Sequence, residues 1–162
     1  VSARREIVPV SRSLLAHAVL LVERALTDTP YLDGALDALR SAVSAPGADG
    51  RALASMREER LEGVIVFGFF GGANGAGRVQ LAVTDDWARR MHVGTALMDE
   101  AITLLRADGA RFVLAELPDD PRALHGARAF LESASFREES RVEDFYRLGV
   151  ALSFMRRELD AR

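Results

Sequence analysis

The sequence predicts an α/β (α+β) fold built on a mixed, mostly antiparallel sheet. Three observations carry that expectation. Two helix-period segments open the chain, strand-like segments fill its middle, and a strand–helix–strand unit follows them. The chain has 162 residues, enough for one domain with its own core, and that domain is expected to run over 1–162.

The elements follow in order. Leu14, Leu15, Ala18, Leu21, Val22 and Ala25 recur at helical spacing, with Ser11 or Ser13 as N-cap. The break Thr27-Asp28-Thr29-Pro30 ends that pattern. Leu32, Ala35, Leu36, Leu39 and Val43 form a second stripe, with Asp33 near its start. Ala45 to Gly50 is small, polar and turn-forming. Arg51 to Arg57 is a strand candidate. Leu61 to Phe70 is a stronger one, almost wholly β-forming and apolar on both faces, so it belongs in the middle of a sheet. Gly71 to Gly77 reads as a hairpin loop and Arg78 to Thr84 as the returning strand.

The period then changes. Val93, Ala96, Leu97, Ala101, Leu104 and Leu105 mark an amphipathic helix that ends near Asp108-Gly109. Arg111 to Leu117 is the next strand. A right-handed crossover makes it parallel to 78–84. Asp119 and Asp120 are placed to cap a helix beginning near Pro121, with Leu124, Ala127, Phe130 and Leu131 on its apolar side. Phe136 to Arg147 and Val150 to Glu158 read as a final antiparallel pair around Leu148-Gly149. The predicted order is α-α-β-β-β-α-β-α-β-β.

Composition narrows the function. The hydrophobic fraction of 49% and charged fraction of 28% are ordinary for a soluble globular chain. No run is long and apolar enough to span a bilayer. Val1 to Glu6 is charged and no secretory apolar segment follows, so a cytoplasmic location is expected. The net charge of −3, with arginine pairs interleaved among acids, speaks against nucleic-acid binding. Cysteine is absent, which removes disulfides, thiolate metal sites and cysteine nucleophiles. His17, His92 and His125 have no ligand spacing, so no metal is expected. The glycine-rich 71–77 segment lacks the Gly-Lys-Ser/Thr ending of a P-loop and is read as a connection.

The segment that carries chemistry is Arg89-Arg90-Met91-His92-Val93-Gly94-Thr95, between a strand and a helix start. The first helical turn leaves backbone N–H groups unpaired and carries positive dipole potential. A phosphate docks there naturally, two arginines add charge, and Gly94 permits close approach.

At these residues the chain resembles the GNAT superfamily, whose pyrophosphate loop reads Gln/Arg-x-x-Gly-x-Gly/Ala. Arg89 takes the first position and Gly94 the last, with His92 where the first glycine belongs. Leu81-Ala82-Val83-Thr84 resembles the family's fourth strand. Phe130-Leu131-Glu132-Ser133-Ala134-Ser135-Phe136 resembles its Phe-Tyr-Glu-x-x-Gly-Phe helix ending, with Leu131 for the tyrosine and Ser135 for the glycine. Asp144-Phe145-Tyr146 stands before the last strand, where many members place a catalytic tyrosine. The resemblance spans nearly the whole chain.

The resemblance implies a sheet of about six to seven strands with four flanking helices. It implies acetyl-CoA as cosubstrate and a small-molecule or peptide amine as acceptor. Arg89, Arg90, Met91, His92, Val93, Gly94 and Thr95 would bind the pyrophosphate. Ala82, Val83 and Thr84 would line the pantetheine, with a backbone N–H of Val83 or Thr84 polarising the thioester, and Phe130 would pack beside it. Tyr146 would protonate the leaving sulfur, and Glu116 is the candidate base. In this fold the acceptor is read by the first two helices, the Gly71–Gly77 loop and the last hairpin. The acids Asp33, Asp37, Asp119 and Asp120 offer a surface for a cationic amine. A homodimer through sheet edges or terminal strands fits the family. The alternative is a non-catalytic module that binds CoA or a peptide. If His92 adopts a glycine-like dihedral, the cost is about 1–2 kcal/mol.

Overall fold

A computed structural model describes residues 4–159; Val1–Ala3, the first part of the charged start, and the last three residues lie outside it. Seven strands form one sheet: β1 (Arg5–Pro9), β2 (Arg51–Arg57), β3 (Arg60–Phe69), β4 (Ala76–Thr84), β5 (Phe112–Pro118), β6 (Arg137–Arg147) and β7 (Val150–Glu158). Their spatial order is β1-β2-β3-β4-β5-β7-β6. Only β4 and β5 pair in parallel; the other neighbours are antiparallel. Four α-helices flank the sheet: α1 (Arg12–Leu26), α2 (Leu32–Ser44), α3 (Val93–Ala107) and α4 (Ala127–Ser133).

Alternation along the strands sorts the core into two layers. Val64 and Val66 of β3, with Leu81 of β4, pack under α1 and α2. Ile65 and Phe67, with Val79, Val113, Ala115 and Leu117, pack under α3 and α4. β3 is thus covered on both faces, as its unbroken apolar run requires. Gly63 seats the first turn of α3, because a Cβ there would lie 3.0 Å from Val93 Cγ1 and 2.7 Å from the Val83 carbonyl.

The sequence reading needs three corrections. β1 was not foreseen; its five residues end in proline, and it pairs with β2 at the sheet edge, where proline is tolerated. The hairpin connection is shorter than Gly71–Gly77, since the Phe70 N–H donates to the Ala76 carbonyl and β4 begins at Ala76. No helix starts at Pro121. Residues 121–126 form turns, and α4 begins at Ala127 behind Gly126. Asp119 pairs with Arg141 at 2.6 Å; Asp120 pairs with Arg147 at 2.8 Å, and its Oδ1 also accepts from the Ala123 N–H at 3.4 Å, capping a turn and not a helix. Of the two candidate caps for α1, Ser11 accepts from the Leu14 N–H at 3.2 Å.

Candidate active site

β4 and β5 pair only from Ala76–Phe112 to Val79–Ala115, then part. β4 continues to Thr84 along β3, and β5 continues to Pro118 along β7. The register of β4 shifts at this point: Leu81 faces Val66 and Val79 faces Phe67, which leaves Gln80 as an extra, bulged residue. The result is a wedge opening onto both faces of the sheet. It holds a cavity of about 610 Å³ lined by Leu81, Ala82, Val83, Glu116, Leu117 and Pro118 among others.

The β4 wall presents open backbone. The Asp85 N–H donates to the Glu62 carbonyl at 2.8 Å, toward β3. Strand alternation turns the Val83 N–H the same way and those of Ala82 and Thr84 into the wedge. Of the two N–H groups named for the thioester, Val83's is therefore turned toward β3 and Thr84's away from it, while Val83 and not Thr84 lines the cavity.

The α3 N-terminus stands at one mouth of the wedge. His92 is its N-cap and makes no side-chain cap hydrogen bond, and the first turn carries no acid. Val93, Gly94 and Thr95 therefore offer N–H groups without helical partners. His92 has φ 58° and ψ 28°, and Arg90 has φ 62°. His92 thus holds the left-handed conformation in which glycine is unstrained. Arg89 pairs with Asp86 at 3.0 Å, and both remain exposed. Met91, Arg90 and His92 are exposed. Gly94 packs closely on Phe130: a Cβ would lie 3.0 Å from the ring, which would have to give way. Trp87 packs locally, its ring under the Arg60 guanidinium at 4.1 Å.

Beneath this loop sits a fully buried carboxylate. Glu62 is the bulged residue of β3, lying between the Ser55–Gly63 and Met56–Leu61 pairs. It accepts from Arg5 Nε at 2.6 Å, Ser55 Oγ at 2.6 Å and Arg57 Nε at 2.8 Å. Burial alone would raise its pKa, but the hydrogen bonds from Arg5, Ser55 and Arg57 and the charge of Arg5 hold it below the ordinary value. Arg5 also donates to the Met91 carbonyl at 2.8 Å.

Glu116 and Tyr146 line the same cavity. Along β5, Val113, Ala115 and Leu117 are buried and Glu116 is exposed, so its carboxylate faces the α1–α2 side. Tyr146 reaches the cavity through a wide bulge. Val142 pairs with Leu152 and Arg147 with Val150, so Glu143–Tyr146 stand opposite Ala151 alone. Burial, then the charge of Glu116 and then Tyr31, push the Tyr146 hydroxyl up to about 12.

Tyr31 was not singled out from the sequence, and Asp120 was named only as a helix cap and as an acid for a cationic amine. The Tyr31 ring meets the Tyr146 ring edge-on, with centroids 5.4 Å apart. Its hydroxyl donates to Asp120 Oδ2 at 2.8 Å, and Arg147 donates to the same oxygen at 2.8 Å. These bonds, Tyr31's first, hold the Asp120 pKa below its usual range against burial. The contacts join residues 89 and 27 positions apart, so no local signal announces them. Among the described residues no group of three or more His, Cys, Asp or Glu is placed to hold a metal, and no helix is long and apolar enough to cross a membrane.

No protein-family model matches the chain, and no curated protein matches it in sequence. Solved structures do match in shape. A GNAT-family protein from Desulfovibrio desulfuricans superposes with a TM-score of 0.84 at 20% identity, covering 96% of this chain and 99% of that one. The ribosomal-protein-S18-alanine N-acetyltransferase from Escherichia coli gives 0.76 at 15% identity, over 98% and 96%. An aminoglycoside 6′-N-acetyltransferase solved with coenzyme A gives 0.81 at 12% identity, over 97% and 98%. Identities this low speak for architecture alone, and the chain has the fold of the GNAT N-acetyltransferases.

Proposed function

We propose that residues 1–162 form one acyltransferase domain that moves the acetyl group of acetyl-CoA to a primary amine by direct attack. The observation that supports this most is the parting of β4 from β5 with an uncapped α3 N-terminus at its mouth. The unpaired N–H groups of Val93, Gly94 and Thr95 suit a pyrophosphate, with Arg89, Arg90, Met91 and His92 around it. The open edge at Ala82 and Thr84, bordered by Val83 and Phe130, suits the amide groups of pantetheine. The fold neighbour solved with coenzyme A is consistent with this fit.

In this reading Glu116 takes the proton of the attacking amine, directly or through water. The nitrogen bonds to the thioester carbon, a backbone N–H of the open β4 edge stabilises the oxyanion, and the carbon–sulfur bond breaks. Tyr146 gives its proton to the departing sulfur. The Glu116 charge helps to hold that proton in place. Once Glu116 has accepted the amine's proton that charge is gone, and Tyr146 becomes the stronger acid as the thiolate leaves. The reading needs no metal. A cytoplasmic location and a homodimer belong to it, with β6, exposed along nearly all its length, as a sheet edge that could pair.

A second reading is a CoA- or peptide-binding module without turnover. It is favoured by the left-handed His92 in place of glycine, and by Leu131, buried where the family motif carries tyrosine. A thiol-release assay with acetyl-CoA and a broad amine panel separates the two. Released CoA supports transfer, and none above background overturns it. Tight acetyl-CoA binding by calorimetry without turnover identifies the module.

A further inference from the structure

The pyrophosphate site lies on the α3–α4 face, so an amine reaches the wedge from the α1–α2 face. That face carries two charged side chains of opposite sign. Val79 is buried toward α3, which turns its neighbour Arg78 toward α1–α2. Arg78 pairs across the parallel seam with Leu114, and Glu116 lies two residues further along β5 on the same side. A rise of ~3.3 Å per residue and a strand spacing of ~4.8 Å put the Arg78 and Glu116 Cα atoms on the order of 8 Å apart.

Arg78 is not neutralised. Its guanidinium lies 5.2 Å from the Phe70 ring centroid, and its Nη2 reaches the Asp49 carbonyl only at 3.4 Å. Gln80, with its amide oxygen turned to accept, takes Nε at 3.2 Å and Nη2 at 2.8 Å. Nη1 has no protein acceptor, and among the described residues no carboxylate pairs with Arg78 or has a basic partner at Glu116. Asp120, the other acid nearby, is already matched by Arg147 and Tyr31. The remaining walls are apolar or aromatic: Tyr31, Ala35, Ala38, Phe70 and Tyr146.

A polycationic acceptor would need several free carboxylates here, and the chamber offers one. A peptide N-terminus would leave Arg78 without an anion. One free cation, one free carboxylate and an aromatic wall match a zwitterion with an apolar body. Resting on the acetyl-transfer reading above, we propose that the acceptor is a free α-amino acid with a large apolar or aromatic side chain. Its carboxylate is held by Arg78, its amine faces Glu116, and its side chain lies against Tyr31 and Phe70.

The experiment compares phenylalanine and leucine with their amides and with a polyamine. It reads kcat/KM with acetyl-CoA, and binding by calorimetry in the presence of CoA. The amino acids should exceed their amides about 10- to 100-fold in both readouts, the span expected for a charge-assisted hydrogen bond. Arg78→Gln should draw that ratio toward one, and Arg78→Lys should keep part of it. A general structural defect would lower both ligands alike and leave the ratio standing. Amides or the polyamine equal to or better than the amino acids overturn the proposal, as does an unchanged ratio in Arg78→Gln. Selective amino-acid binding that Arg78→Gln removes, without any turnover, upholds the recognition site and overturns acetyl transfer instead.

Discussion

Arg5 Nη2 donates to the Met91 carbonyl at 2.8 Å, so the edge strand β1 grips the loop at the head of α3. In a trans peptide the carbonyl and the next N–H point oppositely. Drawing the Met91 carbonyl toward β1 therefore turns the His92 N–H away from the sheet edge. Replacing Arg5 with Met should weaken CoA about tenfold, the scale of one charged hydrogen bond, while pantetheine, which lacks the pyrophosphate, binds as before. Calorimetry with both ligands checks this. Equal losses for the two would contradict a role for Arg5 in shaping the phosphate loop.

Arg5 is also one of three donors to buried Glu62, and that has a pH signature. The folded pKa of Glu62 lies below the ordinary 4.5. Its contribution to stability is thus present above that value and is lost as pH falls through the folded pKa. Glu62→Gln should cost about 3 kcal/mol at pH 7, because it leaves the partly buried guanidinium charges of Arg5 and Arg57 unmatched. It should also flatten the acid side of the stability curve. Urea titrations at several pH values read both effects, and parallel curves for the two proteins would rule the assignment out.

Among the non-glycine residues at positive φ, Ser135 and His92 stand where the motifs of the resemblance carry glycine. Ser135, at φ 68°, follows α4 in a Schellman arrangement: the Phe136 N–H donates to the Leu131 carbonyl and the Ser135 N–H to that of Glu132. Ser135→Gly should stabilise the protein by about 0.5–1 kcal/mol, a Tm gain of about 1–4 °C. His92→Gly relieves the same strain beside the phosphate site and should tighten acetyl-CoA several-fold. Unchanged or weaker binding would show that the imidazole itself contributes.

Glu116 and Tyr146 share a cavity, and the proposed mechanism gives them different tasks. Tyr146→Phe should lower kcat by about 10²-fold with little change in KM. Glu116→Gln should lower kcat by a similar factor. With Tyr146 near 12, the alkaline side should stay level to about pH 10. The same shift means that its stabilising contribution is full below 10 and lost as pH approaches 12. A tyrosine-like inflection near neutral pH, or a Tyr146→Phe variant with full kcat, would remove Tyr146 from the acid role.

The architecture was legible because its signals are local. The unbroken apolar run from Val64 to Phe67, the return at Leu148-Gly149 and the period change at Val93 each read out a neighbourhood of a few residues. The strand missed, Arg5–Pro9, has only Ile7 and Val8 to mark it. The turn Arg89–Gly94 and the helix start behind it were legible for the same reason as the strands. The acceptor side was not. Tyr146 enters the cavity because four residues of β6 bulge opposite Ala151, a matter of register with β7. Tyr31 acquires its place only through Asp120 and Arg147, far away in sequence. Asp119 and Asp120, read as helix caps, are bound by arginines from β6 that the folded sheet brings to them.

The most direct test is a crystal structure with acetyl-CoA bound. The expected result places the pyrophosphate on the N–H groups of Val93 and Gly94, the pantetheine along Ala82 to Thr84, and the acetyl group in the wedge between β4 and β5, on the side facing Glu116 and Tyr146. Density for the cofactor elsewhere on the protein, or an empty wedge at saturating acetyl-CoA, would contradict it.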